Sequence, residues 1–340
     1  MCLYPTLGKN RKFTKTIKNG GIIPAVIDRR TEYVPFECGK CMECRKKKAR
    51  EWLIRLSEDI KVNKNGKFIT LTFSNESIAE IIEYEKTFIN DKGEKHKTKL
   101  KTLKGYKLDN EIATVAIRLF LERWRKKYKK SLRHWLITEL GHKGTENIHI
   151  HGIIWTDEEL QTVKEIWKYG YIWPRYSWKE SYVNDRTINY ITKYVNKQDQ
   201  INKNYKPIIL NSAGIGINYI YSKAATRNKY NGKETDETYK TNSGYRISLP
   251  IYYRNKLYTD NEKERLWINK LDKEIRYVCG EKIDISKEQK TYEETVEHYR
   301  KINKQLGYGT PKNYNNKQYE EDRRTIAQMT RIKKGQASTP

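Results

Sequence analysis

One stretch constrains the fold more than any other: residues 132–155, LRHWLITELGHKGTENIHIHGIIW. Two apolar runs flank a short polar segment containing glycine, the pattern of an antiparallel hairpin. Side chains alternate faces along a strand, so His149 and His151 share one face while Ile148 and Ile150 face the other. Pairing Leu140 with Ile148 across the turn sets Glu139 opposite His149 and Ile137 opposite His151, with cross-strand neighbours about 5 Å apart. Two imidazoles and a carboxylate with open positions suit a divalent ion such as Mg²⁺ or Mn²⁺, whereas a dedicated zinc site recruits three strong nitrogen or sulfur ligands. A hydrogen-bonded polar cluster near a sheet edge is the other use of the same three residues.

The flanking segments extend this hairpin into a sheet with helices. GKFITLTF (66–73) alternates as a strand, and ECGKCMECRKKKAREWLIRLSEDIK leads into a helix with Trp52, Leu53, Leu56 and Ile60 on one face. DNEIATVAIRLFLERWRKKYKK predicts a helix capped by Asp109 or Asn110, with Ile112, Val115, Ala116, Leu119 and Phe120 facing a core. After the hairpin come a helix in DEELQTVKEIW, an edge strand or loop in YGYIWPRYSW, where Pro174 forbids a central strand, and a helix in NDRTINYITKYVNKQ, capped by Asn184 or Asp185 and carrying Ile188, Ile191 and Val195. The order fits an α+β fold with a single antiparallel sheet better than a parallel doubly wound one. The expected divisions are an N-terminal arm with a cysteine cluster (1–48), a core (49–200) with a lysine-rich insertion near 76–108, a C-terminal extension (201–330) and a disordered basic tail (331–340). Within the extension, YKPIILNS and GYRISLPIYYR read as short strands, SAGIGINY as a turn, and 260–277 and 286–304 as amphipathic helices.

The chain carries 69 Lys and Arg against 42 Asp and Glu among 340 residues, a formal charge of +27. Such an excess, interleaved with aromatic residues, favours nucleic acid as partner over a membrane surface or a merely soluble basic protein. No apolar run spans a bilayer and no signal peptide opens the chain, so a cytoplasmic location without membrane partners is expected. Cys38-x-x-Cys41-x-x-Cys44 can converge on a structural zinc with Cys2 as fourth ligand; an iron–sulfur cluster and free thiols are the alternatives. The cationic helix end with Arg123, Arg125, Lys126 and Lys127 is either a solvated face or a phosphate-contacting surface.

Tyr190 and Tyr194 lie four apart on the last predicted helix of the core, and Lys193 and Lys197 each follow a tyrosine by three residues. Nearby cations favour a phenolate, the nucleophilic form, although tyrosines at helical spacing more often pack or stack on bases. His149-Ile150-His151 followed by Tyr190-x-x-Lys193-Tyr194 resembles the HUH family of single-strand DNA endonucleases, and its two-tyrosine form looks like the rolling-circle replication initiators of microviruses. FITLTF, TELG and HIHGIIW match the family's strand motifs. MCLYP, CGKCMECR, SAGIGINY and LPIYYR are similar to the gokushovirus branch, and together the motifs cover residues 1 to about 255. The resemblance implies an RRM-like antiparallel sheet with flanking helices and a metal at Glu139, His149 and His151. It further implies tyrosine attack on a scissile phosphate at a viral origin, in single-stranded or supercoiled DNA, giving a 5′-phosphotyrosyl intermediate, with a host helicase and polymerase completing replication in the bacterial cytoplasm. A non-enzymatic nucleic-acid-binding or DNA-packaging protein is the competing function.

Overall fold

The structure, a computed structural model, describes residues 1–89, 94–141, 146–199, 201–310 and 317–338. In chain order its elements are β1 (Thr6–Lys9), β2 (Tyr33–Phe36), α1 (Met42–Val62), β3 (Gly66–Leu71), α2 (Asn75–Ile81), β4 (Glu85–Ile89), β5 (Lys95–Lys99), α3 (Gly105–Tyr128), β6 (Arg133–Leu140), β7 (Ile148–Trp155), α4 (Leu160–Trp167), β8 (Ile172–Trp173), α5 (Asp185–Asn196) and β9 (Ile209–Asn211). They continue as β10 (Thr238–Lys240), β11 (Arg246–Ser248), α6 (Ile251–Leu257), α7 (Asp260–Asp272), β12 (Ile275–Val278), β13 (Glu281–Asp284), α8 (Gln289–Gln305) and α9 (Lys317–Ala337). The chain divides into two compact units, one of residues 1–58 and 216–312, the other of residues 59–215 and 313–340. The N-terminal arm thus folds with most of the C-terminal extension, a grouping that linear order along the sequence does not display.

The second unit holds an antiparallel five-stranded sheet in the order β8-β3-β7-β6-β9. Alternation sends Ile69, Leu71, Leu136, Leu140, Ile148, Ile150, Ile154 and Ile172 to one face, where they are buried with the apolar stripes of α2, α3 and α4. The opposite face carries Glu139, His149 and His151. Strands β6 and β7 approach so closely that a Cβ on Gly152 would lie 2.1 Å from the Trp135 carbonyl oxygen, so only glycine fits there. The observed register pairs Leu140 with Ile148, Glu139 with His149 and Ile137 with His151, as the turn spacing predicts. Residues 142–145 of that turn lie outside the described residues.

Three expectations change. The segment read as an insertion contributes Ile78, Ile81, Ile82, Leu100 and Tyr106 to the main core, through α2, the β4–β5 hairpin and the start of α3. Asp109 does not cap α3, which begins four residues earlier; it is buried inside the helix and makes a two-pronged ion pair with Arg324 at 2.7 and 2.8 Å. The expected disordered tail is instead helical through Ala337, because its basic residues have partners. Arg323 donates to Glu146, and Arg331 donates to Asn75 and to the Phe73 carbonyl. A Cβ on Gly335 would lie 2.3 Å from the Asn75 carbonyl oxygen, so α9 docks closely against the start of α2.

In the first unit LPIYYR forms not a strand but the helix α6, led by Pro250, whose fixed φ suits a helix start. Tyr253 of this helix is fully buried, stacks on Tyr219 at 4.7 Å and donates to the Gly216 carbonyl at 2.9 Å. Gly216, at φ +72°, would place a Cβ 2.3 Å from the Arg55 carbonyl oxygen, which explains the glycine of the SAGIGINY turn. Among the described residues no helix is long and apolar enough to cross a membrane.

Candidate active site

Helix α5 is positioned from its first turn: Asn184 accepts from the Thr187 amide while the Thr187 hydroxyl faces back to the Asn184 amide, a reciprocal cap. Ile188, Ile191 and Val195 are buried on one side, and the fourfold spacing brings Tyr190 and Tyr194 together on another. Their hydroxyls share a hydrogen bond of 2.6 Å, with ring centroids 5.4 Å apart and nearly perpendicular. Tyr190 is 48% exposed. Tyr194 is half-buried, and burial pushes its phenol well above the ordinary value, with the Tyr190 hydrogen bond and the Glu139 charge adding to the rise.

The sheet supplies the other half of the site. The Tyr194 ring lies flat on the His151 ring at 4.6 Å with an interplanar angle of 6°. His151 Nε2 is 2.9 Å from Glu139, and its Nδ1 is 2.9 Å from the Thr70 hydroxyl on the neighbouring strand. Glu139 also accepts from the Lys197 ammonium at 2.6 Å. Burial pushes the Glu139 carboxyl up, but the hydrogen bonds from His151 and Lys197 outweigh it and hold the group down at about 2. Burial lowers His149, with the neighbouring His151 adding to it, so its imidazole is held neutral with a lone pair available. The two imidazole rings stand 6.3 Å apart on the same face.

A carboxylate that stays ionised, a neutral imidazole and a second imidazole on one sheet face form a donor set that fits a divalent cation, and Lys197 already places one positive charge on Glu139. The three donors are not drawn into one tight cluster as they stand. Among the described residues, the group of potential ligand atoms found within 4.8 Å of one another is the set of Cys2, Cys38, Cys41 and Cys44. There the Cys2 sulfur accepts from the Tyr4 and Cys38 amides at 3.4 and 3.3 Å, and the Cys38 sulfur from the Cys41 amide at 3.4 Å. Amides aimed at sulfur favour thiolates, and hydrogen bonds from the other cysteines, Cys2 foremost, hold Cys38 below the ordinary thiol value. Four sulfurs so arranged can hold a structural metal.

Not every expected residue reaches the site. Lys193 is exposed on α5, and among the described residues its ammonium has no hydrogen-bond partner; Lys197 is the lysine brought to the centre, 5.6 Å from the Tyr194 ring centroid. Arg123 departs from the expected phosphate-contacting role, because its guanidinium caps the end of α4 by donating to the Ile166 and Trp167 carbonyls and to the Tyr169 hydroxyl. Arg125, Lys126 and Lys127 are exposed at the end of α3, beside the start of β6. That end lies six residues, about 20 Å, along the strand from Glu139. Thr70 and Phe68 were not singled out from the sequence. Their signal was parity: both stand on the same face of β3, and β3 pairs with the histidine strand.

Residues 66–199, which include the sheet strands β3, β6, β7 and β8 and helix α5, match the family model of the replication-associated protein ORF2. This match supports a rolling-circle replication initiator and a role in DNA replication. Comparison with curated proteins and with solved structures gave no significant match.

Proposed function

We propose that the chain is a site-specific single-strand DNA endonuclease and strand-joining enzyme that initiates and terminates rolling-circle replication, of the gokushovirus-like microvirus kind, on an RRM-like HUH core in the bacterial host cytoplasm. The observation that carries this is the parallel stack of Tyr194 on His151, which itself holds Glu139. A phenol stands beside a carboxylate and two imidazoles on one open sheet face, the arrangement a tyrosine nucleophile requires.

In the reaction a phenolate oxygen of Tyr190 or Tyr194 bonds to the scissile phosphorus, the bond from phosphorus to the 3′ oxygen breaks, and that oxygen takes up a proton to leave as a free hydroxyl. The 5′ phosphate remains on tyrosine as an ester. No water enters, so a 3′-hydroxyl can attack the ester and reseal the strand. The shared hydrogen bond lets one phenol accept from the other, and with two phenols one holds the old 5′ end while the other cuts again. Lys193 steadies the phenolate or the developing charge from the exposed side of α5. Mg²⁺ or Mn²⁺ held by Glu139, His149 and His151 would supply charge neutralisation at the scissile phosphate. Lys197, Arg125, Lys126 and Lys127 supply backbone attraction for origin DNA, and a host helicase and polymerase unwind and copy it. A zinc ion on the four cysteines would be structural.

The test is substitution of His149 or His151 by alanine. Cleavage of single-stranded DNA with Mn²⁺ should vanish while salt-dependent binding to the DNA backbone persists, because that binding comes from distributed cations. Full cleavage by either variant would remove the metal assignment.

A further inference from the structure

The catalytic face does not end at the tyrosines. Trp173 stands opposite Thr70 across the β8–β3 pair, and Thr70 stands opposite His151 across the β3–β7 pair. The three therefore share a face, with Trp173 two strands, about 10 Å, from His151. Ile172 is buried in the core on the other side, so alternation returns Tyr171 to the face of Trp173. Tyr171 is 47% exposed. Rings run without a break from this sheet edge to the site: Trp173 to Phe68 at 5.5 Å, Phe68 to Tyr190 at 5.9 Å, Tyr190 to Tyr194 at 5.4 Å and Tyr194 to His151 at 4.6 Å. Arg175 follows directly and is exposed.

We propose that Tyr171 and Trp173 on the edge strand β8 are a base-stacking seat for single-stranded DNA, holding the bases next to the scissile phosphate while Tyr190 or Tyr194 attacks. The inference rests on the nuclease function proposed above. An edge strand fits this use, because the DNA leaves the sheet there without crossing another strand. Aromatic faces take any base, and the adjacent guanidinium supplies the charge that a phosphate backbone matches. The seat fixes which bases lie beside the tyrosines. Stacking rings, and not only phosphate contacts, then contribute to affinity.

The test compares binding of an oligothymidylate with binding of an abasic strand of the same length, both in EDTA so that no cleavage occurs. The wild-type protein should prefer the strand with bases. Trp173→Ala and Tyr171→Ala should each lower that preference by roughly ten- to a hundred-fold, and Trp173→Phe should keep most of it. Tyr171 is the safer position, since its exposed ring can be removed without opening the core. If both alanine variants keep the wild-type preference while the wild-type protein still forms a covalent adduct with Mn²⁺, the seat is wrong and the nuclease function stands. If the wild-type protein neither distinguishes the two strands nor forms an adduct, both are wrong.

Discussion

At the scale of single residues, the site is set by parity and by burial. The pairing of Glu139 with His149 is legible in the sequence because strand period and turn length leave one register that buries Ile148 and Ile150. The contacts of Lys197 with Glu139 and of Thr70 with His151 are not legible, since they depend on how α5 and β3 dock on that hairpin. Nor is the withdrawal of Arg123, which reads as a surface cation until α4 ends beside it. Burial also shapes a residue outside the site. His134 is buried, and desolvation lowers it, only partly offset by its bond to the Leu132 carbonyl. Its folded-state value therefore lies below the unfolded value of about 6.5. Above that pH neither state binds the proton and the contribution to stability is complete; as pH falls below it the unfolded chain takes up the proton first and stability declines. Thermal unfolding followed between about pH 7 and pH 5 should show this loss in the wild-type protein and a smaller one in His134→Gln. Equal pH dependence in the two would show that His134 does not titrate as its burial requires.

At the scale of elements, β3, β6, β7, β8 and α5 follow from alternation, a proline and a capping pattern that the sequence displays. The helix α9 does not, because a basic segment reads as a solvated tail unless its carboxylate partners, hundreds of residues earlier, are known. Arg324 and Asp109 are each nearly inaccessible, so Arg324→Leu strands a buried carboxylate. The expected loss is about 3–5 kcal/mol in denaturant unfolding, with most of it recovered when Asp109→Leu is added. A loss below about 1 kcal/mol for the single variant would show that the pair is solvated. The cysteine cluster joins the N-terminal arm to the start of α1, and only the C-x-x-C-x-x-C spacing announced it. Metal analysis of protein purified without chelator should find one equivalent of zinc, and its removal should lower the melting temperature of the protein; a metal-free protein with unchanged melting would leave the cysteines as thiols.

At the scale of the whole molecule, a charge of +27 and an open face with two phenols, two imidazoles and a carboxylate point to one polyanionic substrate. Charge gives general attraction for DNA; the tyrosines would give the chemistry. The grouping of 1–58 with 216–312 escaped the sequence because compact units need not be contiguous, whereas the core that matches a replication-associated family is nearly so. The central claim is that the tyrosines of α5 attack DNA, and the most direct measurement is the protein–DNA adduct that survives SDS after incubation with single-stranded origin DNA and Mn²⁺. The wild-type protein should form it, Tyr190→Phe and Tyr194→Phe should each keep part of it, and the double variant should form none. An undiminished adduct in the double variant would place the nucleophile elsewhere and contradict the claim.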